Sequence, residues 1–445
     1  MTTLIDLHGH ELSGASTAAR DHYERALGLF RLYSGDPLVA AEAALADSPG
    51  FAMAHLLKAW LNLLGTEPAG IDAARAAHAA AAMHCRTARE QGHLAAVGHL
   101  VDGRWHEASR TLLRIGTDHP HDLLALQVGH QLDFFTGNAR LLRDRVARAL
   151  ADWSADMPGY HALLGMHAFG LEEMGDYGHA ENAGRRAVEL EPRDGWAQHA
   201  VAHVLEMQGR TGDGIAWMRG NPDAWSRDSF FAVHNWWHLA LYHLDRGETD
   251  EVLRLFDGPI FGARSGVAMD LLDAAALLWR LHLRGEAVGE RWIGVADNWQ
   301  AFASAGNYAF NDVHAVMAFV GAGRPDRIAE VMDAQDRAMA GAGDNARFTR
   351  DVGRPVVLGL KAFGEGDYAG CIAAIQPVIP IASRFGGSHA QRDLLDLTVM
   401  EAALRLPDPA LARAISAERR AMKPDSLHAR SMFDRARALP DGAMG

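Results

Sequence analysis

Two histidines and a glutamate recur at helical steps in WAQHAVAHVLEMQGR, residues 196–210. His199 and His203 are four residues apart and Glu206 follows three residues later, so one helix face would carry all three side chains. Two histidines at this spacing can share a metal ion, and a carboxylate one turn further on can add a ligand or act as a general base. HAVAH lacks the glutamate that a zinc-protease helix carries beside its first histidine, so it is not that peptidase motif.

A second histidine pair lies one helix pair further on, in HNWWHLALYHLDRG, where His234 and His238 are again four residues apart. On neighbouring inner helices, the two stretches would point four imidazoles and one carboxylate into one volume. Trp237 is expected to form a wall that stacks on an aromatic or cationic ligand, with Trp236 in the core. Three interpretations stay open: structural histidines that hydrogen-bond other polar groups, a bound divalent metal, and an organic ligand held without metal.

A third string, GGSHAQRD at 386–393, offers Ser388 as a helix N-cap and then spaces His389, Arg392 and Asp393 along one helix face. The functional interpretation is a charged clamp in which Arg392 binds a carboxylate or phosphate and His389 and Asp393 form an acid/base pair. The structural alternative is a capped helix with an internal salt bridge.

Two further polar strings are candidates of the same kind. NDVHA places Asn311, Asp312 and His314 on one side of a helix start, where capping by the Asn or Asp side chain explains them almost as well as ligand binding. HGHELSGAS carries His8, His10 and Glu11, which either form a local metal motif or belong to an ordered leader that covers the first helices.

Composition and net charge limit the partners and the cellular location that the sequence predicts. The chain has 445 residues and a net charge of −13, from 43 basic and 56 acidic residues without a long basic block, so nucleic acid is not an expected partner. No apolar run reaches membrane-spanning length, so no membrane partner is expected. Two cysteines, Cys85 and Cys371, and an N-terminus without a signal-peptide pattern predict a cytoplasmic location. If its 24 histidines are largely exposed, the net charge will swing strongly between about pH 7 and 5.

A glycine-initiated turn recurs along the chain, mostly at intervals of 34 or 38 residues. An apolar stretch of helical period precedes each turn and another follows it, which predicts two antiparallel helices per repeat. The turns begin at Gly35, Gly65, Gly103, Gly137, Gly175, Gly209, Gly247, Gly285, Gly323 and Gly366.

The repeat resembles the tetratricopeptide repeat. Residues 161–192 fit its pattern best, with Ala168 on the first helix, GDY at 175–177, and Ala180 and Ala187 on the second helix. The resemblance implies an all-α, right-handed superhelical solenoid of about eleven helix pairs. It would occupy residues 20–435 as one domain, between an N-terminal leader at 1–19 and a C-terminal tail at 436–445.

Four longer strings are similar to the tetratricopeptide repeat protein 38 family: HAVAHVLEMQGR, HNWWHLALYHLDRG, DAAALLWRL and GGSHAQRD. The resemblance covers essentially the whole chain. It implies the architecture and no particular activity.

The favoured function is therefore recognition in the concave interior of the solenoid, by a pocket for a small polar or aromatic ligand. Catalysis in this pocket is left open. The sequence lacks a phosphate loop, a dinucleotide fingerprint and a serine-hydrolase elbow, which disfavours nucleotide-dependent chemistry and serine hydrolysis. The alternatives are a scaffold that binds a peptide or partner protein, and a metal-dependent hydrolase with a divalent metal on His199, His203, Glu206, His234 and His238. The ligand-binding candidates are His199, His203, Glu206, His234, Trp237, His238, Asn311, His314, His389, Arg392 and Asp393.

Overall fold

The computed structural model describes residues 4–440, and these residues form twenty-five α-helices. Pairing between extended segments in this part of the chain is limited to the isolated bridges Ile5–Glu11 and Ser34–Ser229. By their internal contacts the residues divide into a first unit, Met1–Val204 with Asn221–Asn235, and a second unit, Leu205–Gly220 with Trp236–Gly445.

The first unit contains five complete helix pairs, most of α11, the short α13 and the start of α14. Its helices are α1 (Thr17–Leu32), α2 (Pro37–Asp47), α3 (Ala52–Leu64), α4 (Pro68–Ala82), α5 (Ala88–Val101), α6 (Trp105–Asp118), α7 (Leu123–Phe135), α8 (Ala139–Leu150), α9 (Tyr160–Glu173), α10 (Tyr177–Leu190), α11 (Gly195–Met207) and α13 (Pro222–Ser226).

The second unit contains the remaining helices and several irregular turns, among them π-helical turns at Phe256–Ile260 and Thr349–Gly353. Its helices are α12 (Thr211–Gly220), α14 (Ala232–Asp245, from Trp236 on), α15 (Thr249–Leu255), α16 (Ala268–Leu283), α17 (Arg291–Trp299), α18 (Ala309–Gly321), α19 (Pro325–Met339), α20 (Asp344–Phe348), α21 (Arg354–Gly364), α22 (Tyr368–Ile375), α23 (His389–Arg405), α24 (Pro409–Met422) and α25 (Leu427–Ala438).

The glycine turns end the first helix of each pair, as the sequence predicts. Nine of the ten glycines adopt a positive φ, the left-handed conformation that terminates a helix at low cost in glycine. The exception is the second turn, where Gly65 stays helical and Thr66 adopts φ 62° instead. With α23 and α24 the ten turns give eleven helix pairs, so the prediction of an all-α chain of tetratricopeptide-like pairs is confirmed.

Polar side chains start many of these helices. Ser16 caps α1 by accepting a hydrogen bond from the Ala19 amide at 3.1 Å, and Asp122 accepts one from Ala125 at 3.0 Å at the start of α7. Thr87 and Glu90 form a reciprocal capping box on α5. These caps satisfy amides that have no partner inside the helix.

Small residues bring paired helices together. Ala168, Ala180 and Ala187, which fit the tetratricopeptide pattern, are fully buried between α9 and α10. A Cβ atom added to Gly170 of α9 would lie 2.5 Å from the Arg143 backbone nitrogen of α8, so only glycine permits this approach.

One segment of the first unit returns to its first helix pair. The Gly35 amide donates to the Asp228 carbonyl at 2.8 Å, and the Phe230 amide donates to the Tyr33 carbonyl at 2.9 Å. Tyr33 itself stacks on Trp196 with ring centroids 5.5 Å apart. Residues 221–235 thus bind a turn that lies nearly two hundred residues earlier in the chain.

The predicted end segments lie partly within the described region. The leader at 1–19 and the tail at 436–445 overlap α1 and α25 at their inner ends, while residues 1–3 and 441–445 lie outside the described residues. In the described part of the chain, no helix combines the length and the apolar character that a membrane span requires.

Candidate functional site

The histidines of α11 lie inside the first unit rather than on an open polar face. Every residue from 194 to 205 is buried, including His199 and His203. The sequence predicts that these histidines line a groove, but Phe169 of α9, Trp196 of α11 itself and Phe231, just before α14, cover them. The amphipathic pattern therefore marks two buried faces, one apolar and one histidine-bearing.

His199, His203 and His234 converge on one point in the first unit. Each offers a ring nitrogen, and the three nitrogens lie within 4.8 Å of one another. The Nε2 atoms of His199 and His234 are 3.2 Å apart. The ring centroids of His199 and His203 are 4.4 Å apart with nearly perpendicular planes. The i, i+4 spacing on α11 and the start of α14 position this set as the sequence predicts.

Aromatic rings enclose these three histidines. Phe169 stacks on His199 with a centroid distance of 5.3 Å and meets His203 edge-on at 5.3 Å. Trp196 lies 5.1 Å from His199, and Phe231 lies 5.1 Å from His234. Phe169, Trp196 and Phe231 were not among the predicted site residues, because aromatic residues at helical spacing are also typical of an ordinary core.

Two carboxylates of α9 complete the surroundings of His203. Glu172 and Glu173 are buried, and each has an oxygen within 4.8 Å of a His203 nitrogen and of the other carboxylate. The Glu172 Oε2 atom lies 3.8 Å from His203 Nδ1. The repeat register could have indicated Glu172, since it precedes Gly175 by three residues just as Glu206 precedes Gly209.

The second unit holds Glu206 and His238. His238 is fully buried, and its Nδ1 atom lies 3.3 Å from Glu206 Oε2. Glu206 also lines a cavity of about 200 Å³ in the second unit. Asp393 lines the same cavity, so two of the predicted site residues share it.

Four cationic side chains line this cavity: Arg280, Arg284, Arg419 and Lys423. Arg280 is buried and donates to the carbonyl oxygens of Ala276 at 3.3 Å and Ala390 at 2.6 Å. Arg284 donates to the Leu244 carbonyl at 2.6 Å. The hydrogen bonds of both guanidinium groups therefore end on neutral oxygens.

Burial shifts the pKa values around the cavity. It lowers the pKa of Arg280, and it lowers that of Arg284 to about 10, so both groups stay protonated at neutral pH. Burial and the charges of Arg284 and Arg419 lower the pKa of His428 to about 3, which keeps that imidazole neutral. The cavity thus combines cationic groups and a neutral imidazole with the carboxylates of Glu206, Asp245, Asp393 and Asp425.

The predicted clamp of His389, Arg392 and Asp393 has a different arrangement. Ser388 caps α23, its Oγ accepting from the Gln391 amide at 3.3 Å, as predicted. Asp393 pairs with Arg419 of α24, with one contact at 2.9 Å. Burial favours the neutral carboxyl, but Arg419 and Lys423 outweigh it and hold the pKa of Asp393 well below its usual range. Arg392 turns back to the Gly387 carbonyl, and its Nη2 atom lies 3.5 Å from His389 Nδ1.

The remaining candidates of the second unit lie in its interior. Asn311 and His314 are buried, and the His314 Nδ1 atom lies 2.9 Å from the Phe310 carbonyl oxygen. Burial lowers the pKa of His314 to about 4. The capping interpretation of NDVHA is wrong, because α18 already begins at Ala309 and the Ala309 amide donates to Asn345 Oδ1 at 2.9 Å.

The two tryptophans exchange the positions expected for them. Trp237 is fully buried, whereas Trp236 is only half-buried. The Arg280 guanidinium carbon lies 5.3 Å from the Trp237 ring centroid. The cation on this ring is therefore a residue of the chain, because the helix register turns Trp237 towards α16.

The N-terminal histidines make separate contacts. His10 Nδ1 lies 3.1 Å from Asp6 Oδ2, and His8 Nε2 lies 2.9 Å from the Pro158 carbonyl oxygen. Glu11 forms the isolated backbone bridge with Ile5. This arrangement agrees with an ordered leader.

Comparison with known proteins gives distant similarities. No protein-family model matches the chain. The chain is similar to the crystal structure of the APC/C hetero-tetramer Cut9–Hcn1, with 11% identity and a TM-score of 0.41 over 94% of this chain and 76% of that chain. It is also similar to the human IFIT1 dimer with m7Gppp-AAAA, with 13% identity and a TM-score of 0.42 over 95% of this chain and 94% of that chain. The fold class therefore rests on the chain's own helix pairs.

Proposed function

We propose that this helical-repeat protein is a receptor for a small anionic molecule, which binds in the cavity of the second unit. The observation that carries the proposal is the cavity of about 200 Å³ beside two guanidinium groups whose hydrogen bonds, in the described part of the chain, end on carbonyl oxygens. A space of this size accommodates several water molecules or a small metabolite. A bound carboxylate or phosphate would accept hydrogen bonds from these guanidinium groups. It would also supply the negative charge that carbonyl oxygens lack.

The surroundings favour an anion over a neutral ligand. The Asp393 carboxylate is already engaged by Arg419, and the Asp245 carboxylate accepts from Ser426 Oγ at 2.5 Å. Glu206, which pairs with His238, and Asp425 also line the cavity. Among the described residues, no carboxylate accepts a hydrogen bond from the cavity-lining cations Arg280, Arg284 and Lys423. Arginine forks match carboxylate and phosphate oxygens in pairs, which gives specificity in addition to affinity.

Family membership is part of the proposal. We propose that the chain belongs to the tetratricopeptide repeat protein 38 family, on the strength of HAVAHVLEMQGR, HNWWHLALYHLDRG, DAAALLWRL and GGSHAQRD. HAVAHVLEMQGR and GGSHAQRD carry Glu206 and Asp393, and DAAALLWRL precedes Arg284 by three residues. The strings that set the family apart are thus also those that surround the cavity.

The test is a thermal-shift screen of inorganic phosphate, phosphate monoesters and mono-, di- and tricarboxylates, followed by calorimetric titration of the best ligand. A ligand at a hundred times its Kd should stabilise the protein by about 2.7 kcal/mol. Arg284→Gln should weaken binding roughly tenfold to a hundredfold, the cost of one charge-assisted hydrogen bond. Lys423→Gln should weaken it less, and it perturbs the fold little because Lys423 lies at the cavity edge.

Arg254→Gln is the matched control, since Arg254 is an exposed arginine of the same unit that pairs with Glu251. It should leave the affinity unchanged. The proposal fails if no anion of the panel raises the melting temperature, or if Arg254→Gln weakens binding as much as Arg284→Gln does.

A further inference from the structure

We propose that His199, His203 and His234 bind a divalent transition metal ion, with zinc as the best fit, in the first unit. The three side chains come from two helices, and their ring nitrogens lie within 4.8 Å of one another. The proposed ligands are not among the residues that line the anion cavity, so each proposal can fail without the other.

The spacing of the nitrogens fits a zinc centre. Zinc binds histidine nitrogens at about 2.0–2.1 Å in tetrahedral geometry, which places two ligand nitrogens roughly 3.3 Å apart. The Nε2 atoms of His199 and His234 are 3.2 Å apart. His203 reaches the same point from one turn further along α11, the i, i+4 spacing that lets one helix supply two ligands.

A buried carboxylate lies near the second nitrogen of His203. The Nδ1 atom of His203 lies 3.8 Å from Glu172 Oε2, so a small movement of the carboxylate would form a hydrogen bond when Nε2 binds a metal. A carboxylate behind a histidine fixes the tautomer and increases the basicity of the coordinating nitrogen. Glu172 is therefore a positioning residue for His203.

The chemistry of the donors selects the class of metal. Imidazole nitrogens suit zinc, copper, nickel and iron, whereas magnesium and calcium require oxygen ligands. The rings of Phe169, Trp196 and Phe231 surround the set and leave little room for the water shell of a hard cation. The buried carboxylates of Glu172 and Glu173 offset the charge of a divalent ion in this apolar environment.

The experiment measures metal in the full-length protein. The wild-type protein is dialysed against Zn²⁺ and then against metal-free buffer, and bound zinc is determined by elemental analysis. We expect about one equivalent per chain, and a tetrahedral visible spectrum when Co²⁺ replaces Zn²⁺. His199→Gln and His203→Gln should each lose the bound metal.

The matched control is His130→Gln. His130 is buried in the same aromatic cluster, 6.0 Å from Phe169 and 5.6 Å from Trp196 by ring centroids, but it is outside the metal-binding group. This variant should keep the full equivalent of zinc. Glu172→Gln, which preserves side-chain volume, should weaken zinc binding about 10–100-fold while leaving the helical circular dichroism unchanged.

Wild-type protein that retains under a tenth of an equivalent would overturn the proposal, as would undiminished zinc in His203→Gln. Equal zinc loss in His130→Gln would also overturn it, because the effect would then come from packing. If the histidine variants do not fold, the Glu172→Gln affinity and the wild-type Co²⁺ spectrum decide the matter.

Discussion

Asp312 of α18 is a buried carboxyl group whose pKa lies well above the usual range of an aspartate. Burial raises its pKa to about 7, against a smaller lowering by the hydrogen bond from Gln335 Nε2 at 3.3 Å. The folded state therefore holds this proton at pH values where the unfolded chain has released it. The group's contribution to stability is present below about pH 4 and is lost as the pH rises towards 7.

Replacing Asp312 with Asn should remove the free-energy cost of ionising this buried carboxyl group at high pH. We expect the variant to be about 1–3 kcal/mol more stable than the wild type at pH 8, and the gain to disappear near pH 4. Urea unfolding at several pH values measures the difference. Asp333→Asn, an exposed change on α19, is the control and should shift stability little at any pH. A gain that is equal at pH 4 and pH 8 would show that the charge is not its cause.

At the residue scale, sequence reasoning found the histidines but not what surrounds them. The steps of four between His199 and His203 and between His234 and His238 are local, and a helix converts them directly into one face. Phe169 and Glu172 come from another helix, so their approach depends on packing that no local pattern specifies. Arg280 was missed for the same reason, since a lone arginine in an apolar helix carries no periodic signal.

At the scale of the helices, packing depends on close approaches between neighbouring backbones, such as the one at Gly170. A Cβ atom there would lie 2.5–2.7 Å from the backbone of Leu142 and Arg143. Backbone atoms of a packed helix cannot move aside as a flexible side chain can. The contact between α8 and α9 therefore requires glycine at position 170, because glycine has no side chain.

Gly170→Ala should destabilise the first unit by about 1–3 kcal/mol, the usual cost of overpacking. Gly178→Ala is the control on the neighbouring helix α10, where an added Cβ meets nothing within 4 Å. The control should be neutral or up to about 1 kcal/mol more stable, because alanine is the better helix former. Denaturant midpoints of the two variants measure both effects. Equal midpoints would contradict the inferred contact.

The helix pairs were predictable because each turn has a chemical signature. A glycine in the left-handed conformation ends a helix whatever lies around it, so nine turns follow from sequence alone. The second turn departs from this rule because Thr66 adopts the positive φ. The short helices α13 and α20 carry no glycine turn of the repeat, so the repeat pattern could not predict them.

At the scale of the whole molecule, the histidines are less exposed than the composition suggested. Burial lowers the pKa of at least eight of the 24. Histidines with a lowered pKa stay neutral in the folded state while the unfolded chain becomes protonated. Their contribution to stability is complete above about pH 6.5 and is lost as the pH falls below it. They are His8, His55, His119, His130, His167, His282, His314 and His428.

The folded protein should therefore take up fewer protons than the unfolded chain between pH 7 and 5. The raised carboxyl pKa values, such as that of Asp312, act in the opposite direction and reduce the difference. Potentiometric titration of native and urea-unfolded protein measures it. The melting temperature should fall over the same interval. Superimposable titration curves would contradict this account.

The contacts of residues 221–235 with the first helix pair bear on the order in which the protein is made. Because Gly35 and Tyr33 bond to Asp228 and Phe230, the first unit is complete only after residues 205–220 of the second unit have left the ribosome. A repeat array normally gains stability one neighbour at a time during synthesis. Here the turn between α1 and α2 lacks its partner until residues 228–230 have been synthesised, so the first unit closes late.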